Sequence, residues 1–151
     1  MHVPARTTWF MIADGTKARL YESTGWRQGW KLLGEWDDAA ARAPSRELGD
    51  KKPTRGVKSG SGARYAIDPL SAHDKAEDSF IRERADALND ATNGEKFDQL
   101  VLTAPPVALG LFRKRLSPAT TQRCISMLDK DLTNVPELEL HDYFQTNLKR
   151  W

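Results

Sequence analysis

Apolar residues run unbroken from Trp9 to Ala13 and then alternate with polar ones from Lys17 to Glu22. The first pattern is that of a buried β-strand and the second that of a strand covered on one face. Asp14-Gly15 between them is a hairpin signal. The predicted strands are Thr8–Ala13 and Lys17–Glu22, and after a turn over Gly25–Gly29 a third covers Trp30–Trp36. The period then changes. Ala76, Phe80, Ile81, Leu88 and Ala91 recur at helical spacing, opened by Asp68-Pro69 or by a Ser71/Asp74 capping box and closed by Asn93-Gly94. Phe97–Thr103 is almost continuously apolar, as expected of a parallel strand buried on both faces. Pro105-Pro106 opens a helix through Leu116, and Ser117-Pro118 restarts it. Arg123–Leu128 is the fifth predicted strand. Thr133 or Asn134 caps a last helix with Leu138, Tyr143, Phe144 and Leu148 on its inner side. The order β-β-β-α-β-α-β-α requires a mixed five-stranded sheet flanked by helices, an α/β class whose order matches a ribonuclease H-like layout. Residues 1–151 read as one domain.

Composition narrows this picture. The 39% hydrophobic content is that of a globular chain, and the formal net charge of +2 excludes a protein that is basic throughout. Cys124 is the sole cysteine, so no internal disulfide forms, and it reads as a small buried residue at a strand start. No stretch approaches the ~20 apolar residues of a membrane span, and Met1–Gly15 lacks the apolar run of a signal peptide. The expected location is the cytoplasm, with no membrane partner.

Charge is concentrated at one place. Residues 40–66 form a glycine-rich loop carrying Arg42, Arg46, Lys51, Lys52, Arg55, Lys58 and Arg64 against Glu47 and Asp50. Cations on a flexible segment neutralise phosphates and release counterions, and glycines let backbone amides approach an anion closely. Arg46, Lys51, Lys52, Arg55, Lys58 and Arg64 are the candidate nucleic-acid contacts. Arg113, Lys114 and Arg115 form a second cluster at a helix end, where the helix dipole also favours them. Trp26, Trp30 and Trp36 read as hairpin and core packing, with base stacking as an alternative role for Trp26.

Catalytic signals are weaker. A two-metal nuclease needs carboxylates converging on ions roughly 4 Å apart. Asp14, Glu77 or Asp78, and Asp129 or Asp131 stand where such a layout would place them, with Asp14, Glu77 and Asp131 the preferred set. The fourth strand ends in Thr103-Ala104-Pro105-Pro106 and offers no acid. His2, His73 and His141 lack metal-ligand spacing. Neither a nucleophile elbow nor a phosphate-binding P-loop is present, and no cofactor is implied.

Several segments together resemble the bacterial host attachment protein family, described as proteins required for attachment to host cells. They are Ile12–Gly15, Ala18–Leu20, Arg64–Ala66, Phe97–Leu102, Ala104–Pro106 with Leu109-Gly110, and Lys130–Thr133, spread over about Thr8 to Phe144. That family is similar in turn to the catalytic-domain fold of archaeal and eukaryotic peptide-chain release factors. The resemblance implies a ribonuclease H-like domain acting near the ribosome or tRNA. Release factors carry a Gly-Gly-Gln motif between the third strand and the long helix. The matching stretch here, Gly49–Ala66, has no Gly-Gly pair and no glutamine, so no catalytic residue transfers. The expectation is a non-catalytic RNA- or ribosome-associated protein. The alternatives are the metal-dependent nuclease and a factor that engages another protein.

Overall fold

The computed structural model describes residues 6–38 and 72–151. The basic loop with its six candidate contacts, the helix-start signals at Asp68, Pro69 and Ser71, and His2 lie outside the described residues.

Three antiparallel strands, β1 (Thr8–Ala13), β2 (Lys17–Ser23) and β3 (Trp30–Asp37), are followed by helix α1 (Ala72–Asn93). Strand β4 (Gln99–Thr103), helices α2 (Pro106–Arg115) and α3 (Pro118–Arg123), strand β5 (Cys124–Leu128) and helix α4 (Glu137–Asn147) complete the chain. The sheet order is β3-β2-β1-β4-β5. β1 is antiparallel to β2 and parallel to β4, and β4 is parallel to β5. The mixed five-stranded α/β sheet anticipated from the pattern is therefore present.

Side-chain alternation divides the sheet into two packed faces. Met11, Ala13, Leu20, Leu100 and Leu102 face Phe80, Ile81, Leu88, Leu109 and Phe112 of α1 and α2. Phe10, Ile12, Tyr21 and Val101 face Leu140 and Phe144 of α4. β1 and β4 are buried on both sides, which is why their sequences are nearly continuous in apolar residues. Each large side chain removed from water here stabilises the fold by about 1.5–3 kcal/mol.

Two expectations fail at α4. Helix α4 begins after Pro136, with no side-chain cap, rather than at Thr133 or Asn134. Both proposed caps are committed to tertiary contacts: the Thr133 hydroxyl to Asp14 and Asp131, and Asn134 Oδ1 to Lys17 Nζ at 2.9 Å. Leu140 and Phe144, about one turn apart, share the buried face, while Leu138, roughly 200° round the helix from Leu140, is 79% exposed. β4 is also shorter than expected. Phe97 precedes it, yet is buried and stacked on Trp9 with centroids 4.8 Å apart. The helix break at Ser117-Pro118 is real, and Ser117 Oγ accepts from Thr120 N as its cap.

Candidate functional site

β1 and β4 run parallel at the centre of the sheet, while β1 returns into β2 by a tight turn. Crevices at the carboxyl ends of such strands are where α/β sheets place their sites. Here that end holds Asp14, Gly15 and Thr16, with the β5–α4 connection beside it.

Asp14 organises the turn. Its Oδ1 accepts from Thr16 N and Lys17 N, both at 2.7 Å, and from Thr16 Oγ1 at 3.1 Å. Its Oδ2 lies 3.0 Å from Thr133 Oγ1. Burial of the carboxyl pushes its pKa upward, but the Thr16 and Lys17 amides and the Thr133 and Thr16 hydroxyls outweigh that and hold it below the ordinary carboxylate value. Asp131 Oδ1 accepts from the same Thr133 hydroxyl at 2.6 Å and from Thr133 N at 3.1 Å.

Arg19 fixes the connection that brings Thr133 there. Its Nη2 donates to the carbonyls of Leu132, Thr133 and Val135 at 3.2, 2.8 and 2.7 Å, and its Nη1 donates to Tyr21 Oη at 2.8 Å. Lys17 adds its bond to Asn134. Three of the family-like segments, Ile12–Gly15, Ala18–Leu20 and Lys130–Thr133, thus meet in one network. Arg19 and Thr133 escape the sequence reading as functional residues. The only signal for them is that those segments occur together.

Two hollows flank the turn. One of about 310 Å³ is lined by Asp14, Gly15, Thr16, Glu77, Pro105, Val107 and Ala108. The other, of about 300 Å³, is lined by Lys17, Ala18, Arg19, Glu35, Trp36, Asp37 and Thr133. Gly15 is a glycine for space rather than for backbone conformation, since no described glycine has positive φ. A Cβ there would stand 2.5 Å from Glu77 Cδ.

Of the three preferred nuclease acids, Asp14 and Glu77 share the first hollow, while Asp131 is joined to Asp14 through Thr133. The Asp14 oxygens are occupied by the turn and by Thr133. Among the described residues, no three His, Cys, Asp or Glu side chains are grouped to hold a metal ion.

The basic segment is rooted at this same end. Asp38, the last described residue before it, donates its N–H to Thr16 O at 2.8 Å. The chain re-enters description at Ala72, and one and a half turns on, Glu77 abuts Gly15. Residues 39–71 hold seven of the 23 Lys and Arg and three of the 21 Asp and Glu. The segment therefore carries +4, and the rest of the chain, with 16 cations against 18 acids, carries −2.

The other candidates are placed as follows. Arg115 is bound in two contacts to Asp86, at 2.8 and 3.1 Å, while Arg113 and Lys114 are exposed. Trp30 stacks on Phe10 at 4.3 Å, and Trp36 packs beneath Arg84 at 4.5 Å. Trp26 is half-buried and carries Arg150 on its ring. Cys124 is partly buried at the start of β5, and burial pushes its thiol up to about 11. Among the described residues, no helix is long and apolar enough to cross a membrane.

Comparison with known proteins adds two findings. The family model described as "Protein required for attachment to host cells" matches residues 9–144. Among solved structures, the chain is similar to the archaeal translation termination factor aRF1, with 10% identity and a TM-score of 0.57. That match covers 94% of this chain and 35% of the other, so the chain spans about a third of that protein, and at this identity the likeness is one of fold. No curated protein matches in sequence.

Proposed function

The chain belongs to the family of proteins required for attachment to host cells, and from that premise we propose that it is a non-catalytic, cytoplasmic factor that binds the phosphate backbone of RNA, at the ribosome, through the basic segment 40–66. The observation that carries this is the separation of charge. Residues 39–71 hold +4, and the remainder of the chain is net acidic at −2. A body of that sign gives a phosphate backbone no general attraction, so binding falls to the segment. Arg46, Lys51, Lys52, Arg55, Lys58 and Arg64 make the phosphate contacts. The similarity to a translation termination factor supports the ribosome as the place of action. Within the α/β class, the strand order β3-β2-β1-β4-β5 supports a ribonuclease H-like arrangement.

The network around Asp14 has a supporting part in this account. It ties Asp38 through Thr16 to the end of the sheet and so anchors one root of the segment. Sedimentation of the protein with ribosomes at low salt is the test. Wild type is expected in the pellet, and a variant with Lys51, Lys52, Arg55 and Lys58 all changed to Glu in the supernatant. Equal behaviour of the two proteins would refute the proposal. A partner that persists after ribonuclease treatment would point to a protein contact instead.

A further inference from the structure

We propose that Arg27 and Arg150, held on the indole of Trp26, form a binding site for a phosphate-class oxyanion at the end of the sheet opposite the one where the basic segment is rooted. The site is independent of the function proposed above. Trp26 lies in the β2–β3 turn, and the segment is rooted at the β1–β2 turn. The seven residues of β2 separate them by roughly 20 Å.

The guanidinium carbon of Arg150 lies 4.6 Å from the Trp26 ring centroid and that of Arg27 lies 5.8 Å from it. The two carbons are therefore no further apart than those distances added, 10.4 Å. Among the described residues, neither arginine makes a hydrogen bond or an ion pair. Arg19, Arg115 and Arg123, by contrast, spend donors internally: Arg19 on three carbonyls and Tyr21, Arg115 on Asp86, Arg123 on Phe97 O. An anion that meets both unspent forks would neutralise two like charges kept on one ring. A guanidinium fork matches the oxygens of a phosphoryl group.

The platform beneath them is held from several sides. Trp26 O accepts from Gln145 Nε2 at 2.8 Å, and the ring meets Trp151 edge-on at 6.4 Å. Trp151 is pinned in turn by Nε1 donating to Ser23 Oγ at 2.9 Å. The buried Trp26 Nε1 has no hydrogen-bond partner among the described residues, so ring-face contacts set the indole's position. Such preorganisation lowers the entropic cost of binding. The Trp26 ring thus carries two arginines and positions them.

Pyrophosphate, which presents oxygens to both forks, is the probe. In a titration at low ionic strength followed by NMR, the Arg27 and Arg150 Nε–Hε and the Trp26 Nε1–Hε1 signals are expected to move along one saturating curve. Sodium chloride of matched ionic strength leaves them in place. Arg27→Gln or Arg150→Gln keeps the stem packed on the ring yet weakens binding by roughly tenfold, as loss of a charged hydrogen bond implies. Arg150→Lys weakens it too, because the fork is lost. The variant reversed at Lys51, Lys52, Arg55 and Lys58 responds as wild type does. A drift equal to that in chloride, an Arg150 curve untouched by Arg27→Gln, or a response abolished by the four reversals would each overturn the proposal.

Discussion

The Thr133 hydroxyl stands within hydrogen-bond distance of two carboxylates, 3.0 Å from Asp14 Oδ2 across 119 residues of sequence and 2.6 Å from Asp131 Oδ1. One hydroxyl holds one proton, so the two acids share a single donor and the connection before α4 is locked to the β1–β2 turn through it. Thr133→Val keeps the shape and removes the donor. It is expected to destabilise the protein by about 1–2 kcal/mol in urea denaturation, with Thr133→Ser restoring most of the loss.

Asp14 makes stability depend on acid. Its folded pKa is depressed below the ordinary value of 3.8, so its contribution is complete above that value and is lost as the pH falls through the folded one. Asp86, held by its hydrogen bond to Arg115, behaves in the same sense. Asp14→Asn keeps an acceptor for the Thr16 and Lys17 amides but has no proton to take up. Denaturant midpoints measured from neutral pH to below about pH 4 are expected to fall less steeply for this variant than for wild type.

Arg19 closes the β5–α4 connection onto β2 through three carbonyls. Arg19→Lys supplies a point charge without the fork and cannot reach all three. Hydrogen exchange at residues 131–135 is expected to accelerate, with a global loss of about 1–3 kcal/mol. Unchanged exchange would mean that Arg19 does not hold this connection.

Cys124 is predicted to be unreactive. With its thiol pushed up to about 11 by burial, little thiolate exists at neutral pH. Alkylation by iodoacetamide at pH 8 should be many-fold slower than for a free thiol, and should become fast on unfolding.

The strands were legible because their periodicity and turn residues are local. β1 begins and ends as the TWFMIA run indicates, and β4 carries the apolar stretch of a strand covered on both faces. The start of α4 was not legible. Thr133 and Asn134 are good capping residues whose side chains are taken by Asp14, Asp131 and Lys17, partners no local window contains. Leu138 was misplaced as well, since Leu140 and Phe144 set the buried face and Leu138 lies on the other side of the helix from Leu140. The candidate site divides in the same way. Asp14 stood out as an acid at a strand end, but its hydrogen bonds, and the role of Arg19, depend on contacts spanning more than a hundred residues. Trp26 and its two arginines were hidden for the same reason, since Arg150 arrives from beyond the far end of α4.

The salt dependence of RNA or ribosome binding tests the central claim most directly. If Arg46, Lys51, Lys52, Arg55, Lys58 and Arg64 each neutralise a phosphate, the logarithm of the affinity should fall with the logarithm of salt concentration at a slope of about −4 to −5. Reversal of Lys51, Lys52, Arg55 and Lys58 should remove most of that slope together with most of the binding. A flat salt dependence, or a slope unchanged by the reversals, would contradict the account.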